Sequence, residues 1–127
     1  MLTAEDRITI HELISLHGHL ADDRTPARLG ELLTEDAAYD LEAFGMGTVT
    51  GLPALMALFE QAPGEQPVGH HVTNVVVSEQ PDGTARVRSK GLAVMADGAA
   101  GTATYEDHVV RTPVGWRIAH RTVRPHR

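Results

Sequence analysis

The sequence contains no cysteine. That absence removes disulfide bonds, thiolate metal sites and a cysteine nucleophile together. Long apolar runs are missing too: the hydrophobic stretches are short and interrupted, so no membrane span is expected. The opening residues, MLTAEDRITI, carry acidic side chains and no apolar segment of the signal-peptide kind, and a soluble, cytoplasmic protein is expected. Basic charge is scarce. Lys and Arg number 11 against 17 Asp and Glu, a formal net charge of -6, which is the wrong sign for neutralising phosphates. No nucleic-acid partner is expected.

What is present suffices for one folded domain. The chain has 127 residues, of which 42% are apolar, and is read as a single domain over 1–127. Thr3 followed by Asp6 resembles a helix-opening capping box. Ile10, Leu13, Ile14, His17, Leu20 and Ala21 then repeat at helical spacing as one buried stripe, ending near ADDRTP. Thr25 and Pro26 predict a second, short helix burying Leu29, Leu32 and Leu33. AAYDLEAF reads as a short strand, GMGTVTG as a glycine-rich link, Pro53 to Gln61 as a third helix and APGEQPVG as a loop. From His70 the period changes to two: strands are predicted over His70–Ser78, Arg86–Ala96, Thr102–Thr112 and Trp116–Arg124, with Asp82-Gly83 at the tip of the first turn. Helices followed by an antiparallel meander make an α+β fold.

Alternation then sorts side chains by face. Val87, Ser89, Gly91, Ala93 and Met95 form a small, uncharged face opposite Arg86, Arg88, Lys90, Leu92 and Val94. Such a face cannot fill its own core, so it admits a helix very closely or leaves a cavity, and apolar cavities with few polar groups are the usual small-molecule sites. The next strand groups Ala103, Tyr105, Asp107 and Val109; the last groups Trp116, Ile118 and His120. In GHHVTNVVV, His71, Thr73, Val75 and Val77 oppose His70, Val72, Asn74 and Val76. Valines on both sides leave open which histidine faces inward. Eight histidines raise the question of a metal, but His17 and His19 lie about 200° apart around a helix and His70 and His71 diverge. No metal site is expected, and GMGTVTG lacks the context of a phosphate loop.

A helix ending in aspartate, then LGELLTEDAAYD, GHHVTN, YEDHVVR and GWRIAHR, in that order, resembles the SnoaL-like group. Its cone-shaped fold is shared with scytalone dehydratase, ketosteroid isomerase and nuclear transport factor 2. The resemblance spans nearly the whole chain and implies three N-terminal helices packed on a curved, mainly antiparallel sheet. It implies that Asp22 matches the aspartate beside a catalytic histidine, that His71 is that histidine, and that His70 faces away. Asp107 falls where ketosteroid isomerases hold an acid in the oxyanion hole, and Tyr105 and Asn74 match positions common in the wider group. Met95 replaces a second dehydratase histidine, Ala21 and Leu41 replace its tyrosines, Leu41 also replaces the isomerase base, and His17 replaces the isomerase tyrosine. Neither specific reaction transfers whole.

The expected chemistry is cofactor-independent proton transfer. Asp22 orients His71, which takes a proton beside a carbonyl and returns it to a departing hydroxyl, and Asp107 polarises oxygen. Tyr105, Tyr39, His17, Met95, Asn74 and His120 are expected to contact the substrate. The expected activity is a dehydratase, cyclase or double-bond isomerase acting on a small hydrophobic oxygenated molecule such as a polyketide or steroid-like ring, with neither metal nor organic cofactor. The rival expectation is a non-catalytic small-molecule-binding or dimerisation module of the same fold. In it Asp22 is a turn residue, His71 a core histidine, and Asp107 half of an ion pair with Arg111 or Arg117. Leu92, Val94 and Val72, on the outer sheet face, point to a homodimer through that face.

Overall fold

The computed structural model describes residues 1–61 and 64–126, so Ala62 and Pro63 of the expected APGEQPVG loop lie outside the described residues. Helix α1, Ala4–Asp23, opens on the expected capping box: the Thr3 hydroxyl accepts from the Asp6 amide and the Asp6 carboxylate accepts from the Thr3 amide. Ile10, Leu13, Ile14, His17, Gly18 and Leu20 form its buried stripe. The second expected helix is instead a six-residue 3-10 helix, Pro26–Glu31. Thr25 makes no side-chain cap bond there, and so short a segment cannot repay the cost of α-helical nucleation. Strand β1, Leu33–Asp40, starts earlier than AAYDLEAF predicts and ends where a 3-10 turn, Glu42–Phe44, begins. The glycine-rich link hides a three-residue strand, β2, Thr48–Thr50, before helix α2, Leu52–Glu60.

The meander follows as β3, Gly69–Glu79, β4, Ala85–Val94, β5, Ala100–Thr112, and β6, Gly115–His126. The six strands form one curved sheet in the order β2-β1-β6-β5-β4-β3. β1 runs parallel to β6 and every other neighbouring pair is antiparallel, so the sheet is mixed. The core joins Ile10, Ile14 and Leu20 of α1 and Leu55 of α2 to Leu33 and Tyr39 of β1, Val87 of β4, Val109 of β5 and Ile118 of β6. Among the described residues no helix is long and apolar enough to cross a membrane.

Two irregularities decide which side chains face inward. In β3, Thr73 pairs with Lys90 but the next pair is Val76 with Arg88, leaving Asn74 and Val75 together opposite Ser89. Asn74 takes φ +57°, left-handed backbone that asparagine tolerates better than most residues. Such a bulge reverses the alternation: His70 and Val72 join Val75 and Val77 on the half-buried inner side, while His71, Thr73 and Val76 are exposed. In β6, His108 pairs with His120 and Val109 with Ile118, so Ala119 is an extra residue. Beyond it Arg121 and Val123 turn inward and are buried. Val72 is therefore an inner-face residue and does not belong to the outer patch expected of it.

Gly18 sets how closely α1 lies on the sheet. A Cβ at this position would stand 2.5 Å from the carbonyl oxygen of His70, so α1 and the start of β3 can touch only where no side chain intervenes. Gly18→Ala is expected to cost about 1–3 kcal/mol through forced separation of the two backbones, read as a lower urea midpoint. An unchanged midpoint would show that the helix shifts freely.

Candidate active site

Asp22 lies one helical turn beyond Gly18, on the same face of α1, so the contact that fixes Gly18 also delivers the Asp22 carboxylate to β3. Its Oδ1 accepts from the His70 backbone amide at 2.8 Å and lies 2.8 Å from His70 Nδ1. A carboxylate oxygen only accepts, so Nδ1 carries the proton and Nε2 holds the lone pair. The two side chains are 30% and 24% exposed, respectively, shielded yet within reach of a ligand. The pairing expected of His71 thus belongs to His70, because the bulge at Asn74 turns His70 inward and leaves His71 exposed.

Beyond the neighbouring His17, a cavity of about 250 Å³ opens between α2, the Leu41–Met46 segment and the sheet, with His17, Tyr39, Tyr105 and Arg121 on its walls. His70 does not itself line it. Its floor is an ion pair: Arg121 Nε donates to Asp107 Oδ1 at 2.7 Å and Nη2 donates to Oδ2 at 2.8 Å. Both side chains have no exposed surface. Burial alone would lower the Arg121 pKa, but the charge and hydrogen bonds of Asp107 outweigh it and the net direction is upward. The guanidinium carbon lies 4.2 Å from the centroid of the Tyr105 ring, a cation–π contact that adds to its anchoring. Tyr105 in turn lies flat across Gly91, where any Cβ would collide with its ring and hydroxyl. The glycine of the small-residue face is thus filled by an aromatic ring from the next strand.

The structure places the predicted residues unevenly. His17, Tyr39 and Tyr105 line the cavity. Asp107 sits beneath it with both oxygens accepting from Arg121, so it is the acidic half of a buried pair and neither oxygen is turned to a ligand. The partners weighed for it are engaged elsewhere: Arg111 bonds Asp6 and Arg117 donates to the Gly30 carbonyl. Three residues fall away from the cavity. Asn74 is the exposed bulge residue; Met95 follows the end of β4 and its amide donates to the Ala99 carbonyl across a turn; His120 pairs with His108 on the outer face because of the extra residue at Ala119. Arg121 is the residue that simple alternation misses. Its signal was readable: Trp116 and Ile118 are even-numbered and apolar, Val123 is odd, and the two series cannot share a face without a bulge between them. Among the described residues no three His, Asp or Glu side chains cluster as metal ligands would.

His17 is held neutral. Burial pushes its pKa well below the ordinary 6.5, and the charge of Arg121, joined by that of His70 whenever His70 is protonated, pushes the same way. The unfolded chain therefore takes up a proton that the native state refuses, so stability falls as pH drops below about 6.5, by at most about 1.4 kcal/mol per pH unit for this group. Between about pH 7.5 and about pH 5.5 the native protein is expected to lose about 1 kcal/mol more than His17→Leu in urea titrations. Equal losses would refute the assignment.

The chain belongs to the SnoaL-like domain family: the family model matches residues 2–122. This places it in the NTF2-like superfamily. An NTF2-like protein with a cystatin-like fold from Novosphingobium aromaticivorans is 30% identical, with 94% of this chain and 80% of that one aligned at a TM-score of 0.78. A second protein of that organism, provisionally named an aromatic ring hydroxylase, is 27% identical over 100% of this chain and 93% of its own, TM-score 0.79. A third, provisionally named a scytalone dehydratase, is 23% identical over 98% and 89%, TM-score 0.77, and its likeness shows the fold. No curated protein sequence matches significantly. The family includes enzymes as well as members of unknown function.

Proposed function

We propose that this protein is a cofactor-independent lyase or isomerase acting on a small, hydrophobic, oxygenated ring. The observation that carries the proposal is the Asp22–His70 pair, a half-shielded imidazole with its tautomer fixed by a carboxylate, next to the His17 wall of an apolar cavity. His70 Nε2 takes a proton from the carbon beside a carbonyl, Asp22 stabilises the imidazolium so formed, and the same nitrogen returns the proton to a departing hydroxyl or to a second carbon. The first outcome is dehydration, the second migration of a double bond, and both pass through one enol. The test is turnover of a panel of cyclic β-hydroxy ketones and β,γ-unsaturated ketones, followed by the absorbance of the conjugated product. Conversion of at least one is expected; conversion of none would remove the catalytic reading.

A second reading, a non-catalytic carrier of the same class of molecule, is favoured by one feature: His70 stands beside the cavity wall and does not form it. In either reading two copies are proposed to pair through the outer sheet face, where Leu92 and Val94 remain half-exposed. Sedimentation as a monomer at micromolar concentration would refute that pairing.

A further inference from the structure

We infer that the floor of the cavity is a recognition site for the carbonyl oxygen of an uncharged ring ketone, held jointly by Arg121 Nη1 and the Tyr39 hydroxyl. The inference rests on the reading of the cavity as the substrate site and specifies which end of the substrate goes where. Asp107 uses Nε and Nη2 of Arg121, and the remaining nitrogen, Nη1, is buried without a hydrogen-bond partner. The Tyr39 hydroxyl is buried as well and has no partner at ordinary hydrogen-bond geometry; its interaction with the Arg121 guanidinium leaves its own proton free to donate. The two residues are register neighbours on β1 and β6, with the Arg121 guanidinium carbon 5.8 Å from the Tyr39 ring centroid, and both line the cavity. Buried polar groups are ordinarily bonded, and exceptions call for an explanation. An acceptor atom on a ligand, seated between two donors on one wall, supplies it.

The chemistry of the pair narrows the ligand. Burial raises the Tyr39 phenol to about 12, so it stays protonated and donates. Arg121 cannot give up its proton, and its fork is fixed on two sides by Asp107 and on its face by Tyr105. Both groups are donors, so the ligand atom is an acceptor. Asp107 already neutralises Arg121, however, so a carboxylate brought to this floor would itself be the uncompensated charge in a buried setting. The site therefore selects a neutral oxygen with lone pairs over an acid. Leu41, Leu58, Phe59 and Val123 complete the walls, so the rest of the ligand is apolar, and about 250 Å³ accommodates a small fused ring system.

The experiment measures binding of three probes of similar size, the ketone α-tetralone, its hydrocarbon analogue tetralin and the acid α-naphthoate, to the full chain and to Tyr39→Phe. Arg121 is left in place because removing it strips Asp107 of its partner. In Tyr39→Phe, tetralone is expected to bind about three- to tenfold more weakly, and tetralin within about twofold of its original affinity. α-Naphthoate is expected to bind the native protein at least about tenfold more weakly than tetralone. Thermal stability of the ligand-free variant should be unchanged or higher, since the hydroxyl lost makes no hydrogen bond of ordinary geometry. An unchanged tetralone-to-tetralin ratio, naphthoate binding as tight as tetralone, no binding by either neutral probe, or a marked loss of stability in the variant would each overturn the inference. Turnover is not read here, so an inactive protein that shows the ratio change keeps the oxygen site and loses only the lyase reading. A protein that turns over ketones without the change does the reverse.

Discussion

Arg121→Met is expected to lower the melting temperature by roughly 10–20 °C, corresponding to about 3–5 kcal/mol in a domain of this size. The side chain has no solvent contact and closes a bidentate pair with an equally buried carboxylate. Truncating the cation leaves Asp107 charged and unsolvated, or forces it to take up a proton, and either outcome opposes folding. The size of the effect is a statement about leaving one charge alone and says little about the net worth of the pair, because burying two charges costs about as much as their attraction returns. A second variant separates the two. Replacing both partners, Arg121→Met with Asp107→Leu, should recover most of the lost stability, since apolar groups of similar volume fill the floor without stranded charge. A single variant that melts within a few degrees of the native protein would mean that water reaches Asp107 and that the cavity floor is open.

The second large effect concerns the adjacent histidines, which serve as each other's control. His70→Gln should reduce kcat/KM for a ketone substrate by about 10²–10⁴, the usual worth of a positioned proton carrier, whereas His71→Gln should leave it within about twofold. The difference follows from one geometric fact: His70 bonds Asp22 through ring and backbone, and His71 is exposed on the other face. Asp22→Asn should also impair the enzyme, because an amide can present either an oxygen or a nitrogen to Nδ1 and no longer enforces the tautomer. Its defect should fall on kcat with KM little changed, as expected for a positioning residue that never meets the substrate. Equal losses in the two histidine variants would dissolve the assigned pair.

Much of the fold was written in local pattern. The capping box, the apolar stripe of α1, the Asp82-Gly83 turn and the four-strand meander each rest on neighbours in sequence, and each forms as its pattern dictates. His17, Tyr39 and Tyr105 likewise reach the cavity, because nothing interrupts the repeat between them and a buried neighbour. The side chains assigned to the wrong face share one cause. His71 for His70, His120 for Arg121, and Val72 on the wrong face all lie upstream or downstream of an inserted residue that reverses the alternation of an otherwise regular strand. Counting by twos is reliable only between such insertions, and the conflicting parity of Val72 with Val75, and of Ile118 with Val123, marks where the count must restart. The ion pair of Asp107 was legible as a pair but not as to partner, since Arg121 reaches it only because Ala119 is there to be passed over.

Asn74 makes the doublet of imidazoles more than a coincidence of spelling. A β-branched residue in its place would disfavour the left-handed backbone and press the strand towards straight pairing. Straightening it without shortening the chain slides the upstream half along by one place, which draws His70 past the helix end and brings His71 round opposite Ala93 in its stead. In that register His71, and no longer His70, would occupy the inner side of the strand. Position 74 thus governs which of two adjacent imidazoles the strand turns towards the helix.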